Sequence, residues 1–146
     1  MRLSRESRYA VLALMAMATH PPDAVLDSRV IASESGLPAA YLAKILRQLA
    51  AGGVLRSRRG RGFALAEPPP AITLGAILDA VEGPGALDDR CIFWRETCSD
   101  GEPCPLHFRW QELRPAIESA LARVTLAEII ERGGVPLMAT LGVVEP

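Results

Sequence analysis

From Gly83 to Pro103 the chain runs 21 residues with neither the three-and-four spacing of an amphipathic helix nor the alternation of a strand. So long an irregular connection inside a compact chain costs closure entropy and needs something to hold it. This segment and the residues just after it carry all three cysteines and one of the two histidines. They come as Cys91, Cys98, Cys104 and His107, with six, five and two residues between them. Soft thiolates and an imidazole can close such a loop around iron or zinc.

At 146 residues the chain suits one compact domain, or a small domain with an appendage. With 49% apolar and 23% charged residues its composition is that of an ordinary globular protein, and disorder is not expected. No apolar run reaches the roughly 18 residues of a membrane span. Tyr9 to Ala18 is apolar but lacks a small-residue cleavage site and runs into Thr19-His20-Pro21-Pro22. The expectation is a cytoplasmic protein with no membrane contact. In that compartment three thiols serve as metal ligands or redox groups more readily than as disulfides.

Charge is divided unevenly. Residues 1–66 hold ten Lys/Arg against four Asp/Glu, a balance of +6, while 67–146 hold six against thirteen, a balance of −7. A basic half of this kind suits a polyanion.

That half has a readable order. Ser4 can cap a first helix to about Thr19, with Tyr9, Leu12 and Met15 in its buried stripe and Pro21-Pro22 as its end. Asp27 or Ser28 can cap a second, short helix through Val30, Ile31 and Ala32, with Gly36 as a left-handed stop. Pro38 suits the first position of a third helix, closed by Gly52-Gly53, in which Leu42, Ile45, Leu46 and Leu49 share one face. Ala39, Ala40, Ala43, Lys44, Arg47 and Gln48 project from the other. Two helices joined by a turn of about four residues, the second small and basic outside, form a helix-turn-helix. Val54–Ser57 and Gly62–Leu65 then read as strands around Arg58-Arg59-Gly60-Arg61. Such a wing aims Arg56, Arg58, Arg59 and Arg61 at phosphates or a minor groove. Residues 1–66 are therefore expected to be a winged helix-turn-helix that binds double-stranded DNA. The plainer alternative is a basic unit docking an acidic protein.

Glu67-Pro68-Pro69-Pro70 is a stiff connector, and Thr73 caps a helix over Leu74 to Val81, so that 67–82 link the winged helix to the cysteine loop at 83–104. Residues 105–146 hold a longer helical pattern, about Pro105 to Arg123, with Pro115 inside it. Its seam of Leu106, Trp110, Leu113, Ile117, Leu121 and Val124 suits a partner helix. Thr125 and Glu128 can form a capping box for a last helix to about Arg132. The fold expected is mainly α with a small β-hairpin wing and a long dimerisation helix. A homodimer would join through Trp110, Leu113, Ile117 and Leu121, its two-fold axis matching two operator half-sites.

Taken together, Arg2-Leu3-Ser4, Arg8-Tyr9-Ala10-Val11, Tyr41-Leu42 in the third helix, Arg59-Gly60, Ile72-Thr73-Leu74, the three spaced cysteines and Val124-Thr125-Leu126 resemble the IscR/NsrR family of winged-helix regulators. The likeness runs to about Arg132. It implies a homodimeric bacterial repressor or activator. It also implies an iron–sulfur cluster, held by the three cysteines, that reports iron–sulfur status, nitric oxide or oxidative stress. In one branch of the family a histidine three positions past the last cysteine completes the site, and His107 matches it. In another an acidic residue on the partner's first helix does so, where this chain has Arg8, with Glu6 nearby. The wing is shorter and less glycine-rich than usual. Ala43 stands where one branch has glutamate and cannot bond base edges, so operator preference does not carry over.

Three cysteines and a histidine also suit closed tetrahedral zinc, although zinc knuckles pair cysteines more tightly than these. For iron–sulfur, [2Fe–2S] is favoured over [4Fe–4S]. Phe93, Trp94, Phe108 and Trp110 are expected to cover the site or join the core, and His20 to lie at the surface. The chain has no Gly-rich phosphate loop, HExxH or nucleophile–base pattern, so catalysis is not expected. The remaining alternative is a clusterless regulator that senses oxidants through its thiols.

Overall fold

The computed structural model describes residues 4–84, 91 and 98–133. Met1-Arg2-Leu3, most of the cysteine loop including Phe93 and Trp94, and the tail from 134 lie outside the described residues.

Helix α1 (Arg5–Met17) starts where Ser4 accepts a hydrogen bond from Ser7 N, and it stops two residues before Thr19, ahead of Pro21-Pro22. Asp27 caps α2 (Ser28–Ser35) by accepting from Arg29 N, and Gly36 ends it at φ 69°. Pro38, with extended ψ, stands one position outside α3 (Ala39–Ala51) rather than as its first residue. Leu42, Ile45, Leu46 and Leu49 of α3 are fully buried. This is the face the spacing predicts.

The hairpin pairs β1 (Leu55–Arg58) with β2 (Gly62–Leu65) in antiparallel register, Leu55 opposite Leu65 and Arg58 opposite Gly62. The first strand lies one residue later than expected, because Arg58 pairs across the ladder instead of turning. The turn narrows to Arg59-Gly60-Arg61, with Gly60 at φ 70°. At its base Leu26 and Phe63 exchange two backbone hydrogen bonds, tying the wing to the segment before α2.

A 3₁₀ turn (Pro69–Ala71) leads to α4 (Leu74–Glu82), capped by Thr73 and ended at Gly83, φ 95°. Helix α5 (His107–Arg123) contains Pro115, and α6 (Leu126–Gly133) begins with Thr125 accepting from Glu128 N. The Glu128 carboxylate runs forward to Arg132 at 3.1 Å. Leu74 N donates to Val124 O and Leu126 N to Ile72 O, a clip that folds α6 back against the 3₁₀ turn and α1. Leu126 is fully buried in one core with Tyr9, Leu14, Ile31, Leu46 and Ile77. The core therefore draws on α1 to α4 and on α6. No helix of the described residues is long and apolar enough to cross a membrane.

Candidate nucleic-acid interface and metal centre

Helices α2 and α3, joined through Gly36-Leu37-Pro38, set the helix-turn-helix, and the apolar face of α3 fixes which side chains look outward. Ala39, Ala40, Lys44 and Arg47 are exposed and Ala43 is half-buried. Two residues of this face are engaged elsewhere. Lys44 Nζ lies 2.7 Å from Glu6 Oε1 on α1, and that carboxylate holds the ammonium above its usual pKa. Gln48, expected to face outward, turns into the contact between α3 and α4. Its Nε2 is 3.4 Å from Val81 O, and its buried Oε1 has no hydrogen-bond partner among the described residues. Gln48 sits next to Leu49 in the sequence, so close packing of α4 on that side encloses it. Arg56, Arg58, Arg59 and Arg61 are all exposed along the hairpin and its tip.

The last turn of α4, from which the cysteine loop departs, is tied twice. Besides Gln48 on Val81 O, the fully buried Ser7 donates from Oγ to Glu82 Oε1 at 2.6 Å. The residues just before Gly83 are thus bonded to the first helix and to the helix that faces outward. Sequence periodicity carried no sign of either bond, because each joins positions more than 30 residues apart.

Cys104 and His107 are buried at the start of α5, while Cys91 and Cys98 are half-buried. The four side chains meet as two pairs. Cys91 Sγ is 3.6 Å from Cys104 Sγ, and Cys98 Sγ is 3.2 Å from His107 Nδ1. Among the described residues no three such side chains form a tight group of ligands. The pairs nevertheless feel each other. Burial raises the Cys98 thiol pKa, the Cys91 and Cys104 charges raise it further, and Arg114 opposes them. Gln111 Nε2 reaches Cys98 Sγ at 3.9 Å, and Asp100 Oδ1 lies 2.7 Å from His107 Nε2. Asp100, Gln111 and Arg114 had no motif to mark them. The donor set, three thiols and an imidazole in two neighbouring pairs, fits an iron–sulfur cluster or zinc by its chemistry.

On α5 the expected seam divides. Trp110 is 4% exposed and serves the chain's own packing, while Leu113 is 55% exposed and Ile117 and Leu121 half-buried. Phe108, expected as cover for the site or core, is 73% exposed and meets the site only as a ring set edge-on to His107 at 5.4 Å. His20, expected at the surface, is half-buried and meets Glu34 at 2.7 Å.

A helix-turn-helix followed by an arginine-tipped hairpin is the architecture of winged-helix transcriptional regulators, here with a thiol-rich pocket attached. Residues 3–132 match the Rrf2 family, described as iron-dependent transcriptional regulators, and the chain belongs to that family. It is 33% identical over 132 residues to the HTH-type transcriptional regulator IscR of Yersinia enterocolitica, covering 89% of this chain and 79% of that one. Among solved structures it resembles IscR of T. potens (TM-score 0.65, 25% identity, 90% of this chain and 87% of that one). It also resembles CymR, the global cysteine regulator of B. subtilis (TM-score 0.64, 28% identity, 90% and 97%). These relatives are transcriptional regulators, not enzymes.

Proposed function

We propose that this chain is a cytoplasmic, homodimeric transcriptional regulator whose hold on promoter DNA is set by an iron–sulfur cluster on Cys91, Cys98, Cys104 and His107. The observation that carries the reading is the pairing of Cys91 with Cys104 and of Cys98 with His107 beside the start of α5. Its relatives named IscR support it. Three thiolates and one imidazole favour [2Fe–2S], with [4Fe–4S] the alternative. Such a cluster supplies a redox-active centre that reacts with oxidants and nitric oxide, so the signal is iron–sulfur status, nitric oxide or redox stress. In the chain itself, Val81 and Glu82 carry the position of the cysteine loop to α3 and α1 through Gln48 and Ser7. Two states of the loop then present Ala39, Ala40, Lys44 and Arg47 differently to a major groove, while the wing arginines hold the backbone.

The test is anaerobic purification, with visible absorbance, iron and acid-labile sulfide measured, beside promoter binding by anisotropy. Coloured protein whose iron and altered DNA affinity vanish together in Cys98→Ala supports the reading. Colourless, iron-free protein with unchanged binding in all three cysteine variants overturns it. In the same assay, the double change of Arg59 and Arg61 to Ala should weaken binding to every duplex and lower the salt slope by about 2. An unchanged slope would remove the wing from the interface.

One observation favours a second reading. The Cys91 and Cys104 sulfurs, 3.6 Å apart, need move only a short way to a disulfide bond length of about 2 Å. A clusterless oxidant sensor would show that bond by mass spectrometry after peroxide treatment, and retain DNA control without iron.

A further inference from the structure

His107 is 1% exposed, and both its ring nitrogens are engaged. Nδ1 faces Cys98 Sγ at 3.2 Å, and Nε2 faces Asp100 Oδ1 at 2.7 Å. A carboxylate can only accept, so Nε2 must carry the proton. In the neutral ring Nδ1 then holds the lone pair, and it points at the thiols. The direction of the chain follows: Cys98 donates S–H to Nδ1, and Nε2–H donates to Asp100. Histidines that bind metals usually give their second N–H to such a carboxylate, which fixes the tautomer and strengthens the donor.

We propose that Asp100 is the positioning residue of the thiol pocket: it holds His107 in its Nε2–H form, so that Nδ1 is the atom presented beside Cys98 as the fourth donor. Asp100 touches no metal in this role. Its side chain is 93% exposed, so its effect comes from the one hydrogen bond to a buried ring rather than from packing. Phe108, edge-on to the imidazole at 5.4 Å, limits the ring from another side. The inference rests on the four-ligand reading for its purpose, but not for its geometry.

The experiment separates the two. In metal-free protein, long-range 15N–1H NMR reads the tautomer of His107 directly. Wild type and Asp100→Asn, whose side-chain oxygen can still accept, should show the Nε2–H form. Asp100→Ala should show a mixture or the Nδ1–H form. Cobalt(II), titrated as a probe ion and followed by its thiolate charge-transfer and ligand-field bands, should bind Asp100→Ala about 10–100-fold more weakly than wild type. Asp100→Asn should recover most of that loss, and His107→Ala should remove any further effect of Asp100→Ala. An Asp100→Ala protein with the wild-type tautomer and the wild-type cobalt affinity overturns the inference. Wild type that purifies without iron yet shows the tautomer change would instead count against the cluster and leave the positioning role standing.

Discussion

The acidity of Cys98 is set by its surroundings. Burial and the neighbouring Cys91 and Cys104 charges raise its pKa, so in metal-free protein the thiol form persists to higher pH than for an ordinary cysteine. Iodoacetamide labelling followed by mass spectrometry should therefore find Cys98 slow to react at pH 7.5. Its rate should climb steeply only above the usual thiol range. Arg114→Ala removes the opposing cation and should slow it further. A Cys98 rate already at its plateau at pH 7.5 would contradict this account. At Gly62 the constraint is backbone. With φ at 125°, and a would-be Cβ running into the Leu26 carbonyl and 2.9 Å from Asp27 N, Gly62→Ala should cost at least about 2 kcal/mol. A thermal melt of the metal-free protein measures it, and an unchanged midpoint would mean the wing is not stapled to Leu26.

Between elements, the decisive bonds are those that sequence spacing does not announce. Helix caps were readable at Ser4, Asp27, Gly36 and Thr73 because capping is local chemistry, settled within four residues. The tie from Ser7 to Glu82 spans 75 positions. Removing a buried hydrogen bond to a carboxylate costs about 1.5–3 kcal/mol. Ser7→Ala should lower denaturant stability by that amount, and Ser7→Thr should be no better, since the site has no exposed volume for a methyl. A loss below about 0.5 kcal/mol would show that Glu82 is held chiefly by its other contacts. The same limit explains Gln48. An amphipathic wheel put it on the outer face of α3, and α4 covers that edge of the wheel. The wing strand slipped by one residue for a related reason, since the width of the turn depends on pairing across the ladder rather than on either strand alone.

At the scale of the whole molecule, α5 separates what one chain buries from what a second copy would have to cover. Trp110 lies inside, whereas Phe108 and Leu113 stand 73% and 55% exposed on one 17-residue helix. If two copies join along α5, Leu113→Asp should convert the dimer to monomer in sedimentation velocity. It should also cut promoter affinity at least tenfold, because each half-site would then be held singly. A dimer that survives that change would move the interface elsewhere. Charge is arranged at this scale too: the exposed arginines of the wing belong to the half with a balance of +6, and the thiol pocket lies in the acidic half.

The winged helix was legible in the residues because its determinants are short-range: caps, glycine stops, a 3–4 apolar stripe and an arginine-rich turn between two short strands. Donor chemistry was legible in the same way, since thiols and imidazole declare their affinities by type. Folding alone brought Cys91 to Cys104, Cys98 to His107, Asp100 to the far side of that ring, and the end of α4 against Ser7 and Gln48. These are through-space contacts, two made where helices pack and three beside the start of α5, and no spacing along a chain encodes which side chains folding sets face to face.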